Sequence, residues 1–249
     1  MRKAGILLLV AMFALSCNTS KNGVSRNAKN VLVFTKTNGF RHASIETGVN
    51  TLRELGAANN WVIQHSEDSL VFTPENLKNL DLVVFLNTTG DILGTEQEAA
   101  FKNYMEGGGS FFGIHAASDT EYDWPWYGEF IGGYFMSHPK TQKATVVKKE
   151  KHATVAMFPE RFERTDEWYN FKNLSPNVHV TLTLDESSYE GGANGDYHPH
   201  AWFHKVGEGK MYYTGGGHTE EAYAEPLFRK HLEEVMKWLI SYKQYREVQ

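Results

Sequence analysis

The chain has little cysteine, little positive charge and no apolar run long enough to cross a membrane near its start. Cys17 is the only cysteine among 249 residues. The apolar run from Ala4 to Leu15 is shorter than the roughly 20 residues that a spanning helix needs. Lys and Arg number 25 against 30 Asp and Glu, and the chain after residue 16 carries a formal charge of about −7. This balance disfavours nucleic acid and anionic membrane surfaces as partners.

The first sixteen residues have the order of a lipoprotein signal peptide. Arg2 and Lys3 precede the apolar run, and small residues end it at Ser16, directly before Cys17. We therefore expect export, cleavage after residue 16, and a lipid on Cys17 that anchors the chain to a bacterial membrane, in the periplasm or at the cell surface. An ordinary secretory signal and a short membrane anchor are the alternatives.

The rest of the chain divides into a tether and one domain. Residues 17–29 have almost no large apolar side chain, so they bury too little surface to offset their ordering entropy and are predicted to form a flexible tether. The chain as a whole is 41% hydrophobic, which is enough for one full core within residues 30–243.

Apolar, β-branched runs alternate with helical patterns in the first half of this domain. Caps and breakers bound the helices: Ser44 before the first, Thr73 with Pro74 at the second, and Thr95 with Glu98 as a capping box at the third. Strands that alternate with helices in this way predict an α/β fold with a mainly parallel sheet covered on both faces. The predicted strands are Val31–Phe34, Trp61–Gln64, Asp81–Leu86 and Ser110–Ile114, and the helices between them span 45–55, begin at Pro74, and run from Thr95 to about Glu106.

The second half is less regular and ends in a hairpin and a helix. Ala201–Val206 and Lys210–Thr214 flank a glycine-containing turn, and an amphipathic pattern predicts a helix over Pro226–Ile240. His198, His200 and His204 share one face of the first hairpin strand if that strand is uninterrupted. On one face they could ligate a metal ion. Pro199 interrupts the strand and suggests an edge or loop, where the histidines would be solvent-exposed, so both interpretations stay open.

Ligands of an open parallel sheet bind beyond the carboxyl ends of its strands. Four predicted loops in this region carry histidine: His42, His115, His138 and His218. His115 is the most informative, because a buried strand runs into this single polar residue and then into Ala116 and Ala117. This is the pattern of a nucleophile elbow, a sharp strand-to-helix turn that needs small neighbours and lifts its central side chain into the site.

Together with His218 and Glu220 after the last strand, this elbow resembles that of the class I glutamine amidotransferase superfamily. Members of that superfamily place a cysteine at the elbow and a His-x-Glu motif after a later strand. Here His115 replaces the cysteine and Ala117 replaces the closing glycine. Amidotransfer by a cysteine thiolate is therefore excluded.

Within that superfamily the chain resembles the ThuA-like, or trehalose utilisation, proteins over essentially all of residues 30–241. The resemblance implies a flavodoxin-like three-layer α/β sandwich and a role in disaccharide or oxidised (3-keto) sugar metabolism. The matching stretches are Gly39–Ile45, Gly113–Ala116, Gly132–Pro139, Thr165–Tyr169, Pro199–Trp202 and Gly216–Thr219.

The residue types predict histidine-based acid–base chemistry. We interpret His115, His218 and Glu220 as the catalytic set, with Glu220 orienting the imidazole of His218. A divalent metal is the second interpretation, because imidazole and carboxylate suit such ions; the candidate ligands are His42, His115, His138 and His218. A single loop histidine often only satisfies backbone groups, which is the structural alternative.

Aromatic and acidic side chains near these loops predict a saccharide site. Aromatic faces stack on the C–H face of a sugar ring, and carboxylates accept its hydroxyl protons. The predicted substrate-binding residues are His42, Asp119, Trp124, His138, Glu167 and Trp202. The leading hypothesis is an exported enzyme acting on a small saccharide or 3-keto sugar; the alternatives are a non-catalytic, surface-anchored carbohydrate-binding domain and a protein-interaction domain.

Overall fold

The computed structural model describes residues 28–247, and for residues 242–247 it describes the backbone alone. The predicted signal peptide, Cys17 and the tether up to residue 27 lie outside the described residues. Between residues 28 and 247, no helix is long and apolar enough to cross a membrane.

The strands follow the predicted alternation and extend it. The helices are α1 (Ile45–Asn59), α2 (Pro74–Leu77), α3 (Thr95–Glu106), α4 (Pro125–Ile131) and α5 (Pro226–Glu247). The strands are β1 (Lys29–Phe34), β2 (Trp61–Ser66), β3 (Leu82–Leu86), β4 (Ser110–Ile114), β5 (Tyr134–Ser137), β6 (Gln142–Lys148), β7 (Arg161–Asp166), β8 (Asn170–Lys172), β9 (His179–Asp185), β10 (His198–Val206) and β11 (Gly209–Thr214).

A nine-stranded sheet organises the described residues, in the order β2-β1-β3-β4-β11-β10-β9-β6-β7. The first five strands in this order are parallel, and each strand from β10 onward is antiparallel to its neighbours. The strands β5 and β8 form a separate two-stranded ribbon. The predicted α/β class, with helices on the faces of a large sheet, is confirmed.

The three layers arise from the two-residue period of the buried strands. Val31 and Val33 point to one core with α1 and α5, whereas Leu32 and Phe34 point to a second core with α3 and α4. Both faces of β1, β3 and β4 are apolar because both are covered, as is usual for parallel strands. The loops at the carboxyl ends of these strands therefore emerge from a sheet that is packed on both faces.

Several predicted boundaries shift for identifiable reasons. Thr73 caps α2 as predicted, by accepting a hydrogen bond from the Asn76 N–H. The N-cap of α3 is Gly94, so Thr95 is already helical and the predicted capping box is wrong. Ser44 precedes α1 but makes no capping bond, because its hydroxyl donates to the carbonyl of Gly217.

The prediction for Pro199 is wrong. This proline lies in β10, an interior strand, at a register shift between Pro199 and Ala201. A bulge removes the need for a ladder N–H at that point, which lets proline enter the middle of a sheet. The neighbouring His198 and His200 are buried rather than exposed.

Candidate active site

Four polar side chains converge over the carboxyl ends of the parallel strands. The loop after β1 supplies His42, the first residue after β4 is His115, and the loop after β11 supplies His218. Glu167 comes from further away, from the three residues that leave the sheet between β7 and β8. Each of these side chains offers one potential ligand atom, and the four atoms all lie within 4.8 Å of one another. We call these four residues the cluster.

His115 is held in an unusual backbone conformation. Its φ is +49°, in the left-handed region that non-glycine residues rarely adopt. A Cβ on Gly113 would lie 3.1 Å from that of Ala117, so the turn requires small residues on both sides of His115. These features agree with the predicted elbow. His115 is fully buried, and the turn directs its imidazole toward the other three residues of the cluster.

The proton positions on His115 follow from its partners. Its Nδ1 lies 2.9 Å from the carbonyl oxygen of Gly215, which only accepts hydrogen bonds, so Nδ1 carries the hydrogen. The Nε2 lone pair therefore points into the cluster, 3.2 Å from Nδ1 of His218 and 3.6 Å from Oε2 of Glu167. A backbone carbonyl that fixes the tautomer in this way is the usual support for a metal-ligating histidine.

His42 has a buried nitrogen with no partner. Only 4% of the residue is exposed, and its Nδ1 makes no hydrogen bond. Burial and the nearby His115 and His218 lower its pKa to about 3. An unsatisfied buried polar atom lowers the stability of the fold by about 1–3 kcal/mol, so we expect this nitrogen to have a functional role.

Glu167 connects the cluster to the surface. Burial disfavours its ionised form, but the neighbouring His115 and His218 outweigh burial and lower the pKa of Glu167 to about 2. Its Oε2 lies 3.1 Å from Nδ1 of His218, and its Oε1 lies 2.9 Å from Nδ1 of His138. Burial opposes protonation of His218, but the contact with Glu167 prevails and raises the pKa of His218.

Asp166 holds the loop that carries His218. Its two carboxylate oxygens accept hydrogen bonds from the backbone N–H groups of Gly217 and His218, at 2.9 and 3.2 Å. Asp166 is itself fully buried and pairs with Arg164 at 3.4 Å. From the other side, Ser44 and the amide of Asn87 donate to the carbonyl of Gly217. The histidine is therefore placed by a preformed polar network.

The distances among three of the four ligand atoms fit a tetrahedral metal ion. When an ion lies about 2.0–2.1 Å from each ligand atom with tetrahedral angles, neighbouring ligand atoms are about 3.3 Å apart. Nδ1 of His218 lies 3.2 Å from Nε2 of His115 and 3.1 Å from Oε2 of Glu167. The distance from Nε2 of His115 to Oε2 of Glu167 is 3.6 Å. The ring of His42 is 5.0 Å from that of His115 and 5.1 Å from that of His218, nearly perpendicular to both. Three imidazoles and a carboxylate are also a donor set that zinc and other divalent transition metals accept.

Two predicted roles need correction. Glu220 was expected to orient His218, but it is exposed and accepts a hydrogen bond from the hydroxyl of Thr47 instead. The chain enters a 3₁₀ helix, Glu221–Ala224, directly after it, which directs Glu220 to the surface. Glu167 is the carboxylate that contacts His218.

Trp202 is the second correction. It is fully buried in β10, stacks on Tyr213 and donates its indole N–H to the carbonyl of Ile131. Such a side chain cannot meet a substrate without unfolding the core. Trp124 is half-buried and stacks on Trp126 and Tyr127 in and beside α4.

His138 and Asp119, two other predicted substrate-binding residues, lie beside the cluster. The side chain of His138 is 43% exposed and contacts Glu167 from outside the group of four. Asp119 is half-buried and accepts a 2.6 Å hydrogen bond from the hydroxyl of Tyr122. Burial raises the pKa of Asp119, against the opposing hydrogen bond from Tyr122.

Two aromatic residues outside the predicted substrate-binding set contact the cluster. Tyr169 stacks on His115 with ring centroids 4.1 Å apart, and Phe40 packs edge-on against His42 at 4.9 Å. A bulky apolar residue within the short polar stretch Gly39-Phe-Arg-His42 is the signal that identifies Phe40.

The comparisons with known proteins agree with this architecture. A family model described as ThuA, trehalose utilisation, matches residues 30–239. A ThuA-like protein from Bacteroides uniformis is similar in structure, with a TM-score of 0.74 and 23% identity over 86% of this chain and 92% of that one. A ThuA-like protein from Parabacteroides merdae gives a TM-score of 0.72 and 17% identity over 86% and 90%.

More distant likeness extends to part of a glycosidase. A β-galactosidase from Bacillus circulans gives a TM-score of 0.54 and 11% identity, over 85% of this chain but 31% of that enzyme. At this identity the likeness concerns the fold alone. No curated protein matches the chain.

Proposed function

We propose that this chain, which belongs to the ThuA (trehalose utilisation) family, is a metal-assisted enzyme that acts on a disaccharide or a 3-keto sugar. One observation carries the proposal: three histidines and a glutamate converge, and the buried Nδ1 of His42 has no partner of its own. A set of groups that merely stabilised the fold would satisfy one another. In this set the buried Nδ1 of His42 has no hydrogen-bond partner.

His42, His115, His218 and Glu167 would hold the ion. A divalent ion at such a position polarises a carbonyl oxygen or lowers the pKa of a water molecule. A 3-keto sugar offers the carbonyl, and the carbon–hydrogen bonds next to a polarised carbonyl are acidic. The reaction class is therefore proton transfer beside the sugar carbonyl, or water-dependent cleavage of the glycosidic bond.

His138 is the proton acceptor in this proposal. Its Nδ1 lies 2.9 Å from both Oε1 of Glu167 and the carbonyl oxygen of Pro139, and both oxygens accept hydrogen bonds. Nδ1 therefore carries the hydrogen, and Nε2 keeps the lone pair that accepts a proton. A carboxylate that orients an imidazole in this way is the arrangement of a general base. Glu167 thus serves the cluster through one oxygen and the base through the other.

The location of the protein is a further part of the proposal. The order of charged, apolar and small residues before Cys17 supports export and lipid attachment, so the substrates would be saccharides met outside the cytoplasm. Expression of full-length protein followed by membrane fractionation tests this. Wild type should partition with membranes, and Cys17→Ser should not; equal partitioning of the two would rule out the lipid.

Turnover tests the enzymatic proposal. Metal-free and zinc-, manganese-, iron- or nickel-loaded protein is assayed against trehalose, other disaccharides and their 3-keto forms. We expect metal-dependent turnover that His115→Ala and His218→Ala reduce by at least 10³-fold, roughly the loss of an essential catalytic group.

Glu220→Gln is the matched control, because Glu220 lies in the same loop as His218 but contacts Thr47. It should retain wild-type rates. Turnover that is unchanged in both histidine variants would refute the proposal. Saccharide binding without any turnover would instead identify a carbohydrate-binding domain.

A further inference from the structure

Phe40 is a large aromatic side chain that the fold leaves in solvent beside the cluster. It is 66% exposed, whereas most phenylalanines of a folded protein are buried. Its ring lies edge-on to that of His42, with centroids 4.9 Å apart. Since His42 is almost completely buried, Phe40 marks the boundary between the cluster and solvent on this side.

The backbone holds Phe40 in place. The N–H groups of Asn38 and Gly39 both donate to the carbonyl of Thr89, at 2.8 and 3.3 Å, and the hydroxyl of Thr89 donates to the carbonyl of Phe40. A Cβ on Gly39 would lie 3.2 Å from that hydroxyl oxygen, so glycine allows the close approach. Both sides of Phe40 are therefore fixed to the loop after β3. A ligand that stacks on this ring meets a preorganised surface, which lowers the entropy cost of binding.

The surface of the cluster near the exposed His138 is polar. His138 and Glu167 contact one another there, and Asp119 lies close enough to His115 and His138 for their charges to affect its pKa. An exposed aromatic ring together with carboxylate and imidazole groups around one cluster suits a saccharide, which has a C–H face and a ring of hydroxyls.

The arginines of the segments that build the site are paired with carboxylates. Arg41, the neighbour of Phe40, pairs with Glu67 at 2.9 Å and with Glu46 at 3.4 Å. Arg164, beneath the loop of His218, pairs with Asp166 and Glu225. Phosphate recognition usually uses arginine forks or helix N-termini, and both arginines of the segments that build the site are already paired.

We propose that Phe40 is the sugar-stacking residue of the site, and that it selects an unphosphorylated pyranose ring whose reacting end lies at the cluster. This inference rests on the proposed function and adds the substrate class and the residue that recognises it. Phe40 binds the ring and leaves the chemistry to the cluster. Its removal should therefore raise KM far more than it lowers kcat.

The test compares Phe40→Ala, Phe40→Trp and Tyr197→Ala in metal-loaded protein. Tyr197 is an aromatic of similar exposure, at 53%, on a different loop, where Lys149 lies over its ring. The probes are trehalose, cellobiose, their 3-keto forms and trehalose 6-phosphate. KM and kcat are measured where there is turnover, and affinity is measured by calorimetry for every probe.

We expect Phe40→Ala to raise KM and the dissociation constant of the neutral sugars about 10-fold, the size of one aromatic stacking contact. The kcat should stay within about 3-fold and the metal content should not change. Phe40→Trp should restore affinity, Tyr197→Ala should resemble wild type, and trehalose 6-phosphate should bind no more tightly than trehalose.

The contrary outcomes separate the two proposals. If wild type turns over or binds a sugar and Phe40→Ala behaves like Tyr197→Ala, the stacking role is wrong and the proposed function stands. Tighter binding of trehalose 6-phosphate would overturn the unphosphorylated substrate class. If wild type neither binds nor converts any probe, both proposals fail. Loss of metal in Phe40→Ala would show that Phe40 supports His42 instead of the substrate.

Discussion

Replacing His42 with leucine should make the metal-free protein more stable, although it removes one of the four cluster residues. The two side chains have similar volumes, so the substitution leaves no large cavity. At pH 7 the wild-type protein buries Nδ1 of His42 without a partner, which costs about 1–3 kcal/mol, and leucine removes this cost. Allowing for imperfect packing, we expect a gain of roughly 1–2 kcal/mol in the free energy of unfolding.

The gain should increase in mild acid. The pKa of His42 is lowered from 6.5 to about 3, first by burial and then by the neighbouring histidines. Above pH 6.5 the residue is neutral in both folded and unfolded protein. Between pH 6.5 and 3 the unfolded chain binds a proton that the folded protein excludes, so stability is lost as the pH falls. At pH 5 this loss is about 2 kcal/mol in wild type and absent in His42→Leu.

Urea unfolding of chelator-treated protein, followed by tryptophan fluorescence at pH 7 and pH 5, measures both effects. His179→Leu is the control, because His179 is an exposed histidine and should change stability by less than about 0.5 kcal/mol. The reasoning is refuted if His42→Leu is less stable than wild type at pH 7, or if the difference between the two proteins does not widen toward pH 5.

Three further substitutions probe the support of the site. Glu167→Gln should lower the pKa of His218, because the glutamate contact is what raises it; histidine NMR titration measures the change, and an unaltered pKa would contradict the assignment. Asp166→Asn should weaken zinc affinity about 10- to 100-fold, the usual effect of losing a group that orients a ligand. Glu220→Gln should leave the zinc affinity, measured by calorimetry, at the wild-type value. Equal effects of the two substitutions would argue against Asp166 as the support of the loop. Trp202→Ala should lower the free energy of unfolding by about 3–5 kcal/mol, measured by thermal or urea denaturation, because its side chain is buried in the core; a fully stable variant with weakened sugar binding would restore Trp202 to the site.

The fold was predictable because its signals are local. The continuous apolar runs of β1, β3 and β4 mark strands covered on both faces, and Thr73 marks the start of a helix. The elbow at His115 was also local, since the turn itself needs small residues on both sides.

The residues that surround His115 come from segments far apart in the chain, and a local sequence pattern does not reveal such contacts. Glu220 follows His218 by two residues, yet the intervening turn places it on the surface. Glu167 precedes His218 by 51 positions, and it reaches the cluster only because the chain leaves β7 and crosses over the ends of the strands. The side that Trp202 faces depends on the neighbours of β10, which an isolated strand sequence does not reveal.

The central claim is that His42, His115, His218 and Glu167 hold one divalent metal ion, and calorimetric zinc titration combined with anomalous diffraction tests it most directly. We predict one zinc ion per chain, an anomalous peak among these four side chains, and loss of that binding in His115→Ala but not in Glu220→Gln. Stoichiometric zinc binding that persists in His115→Ala, an anomalous peak at other residues, or no binding by wild type would contradict the account.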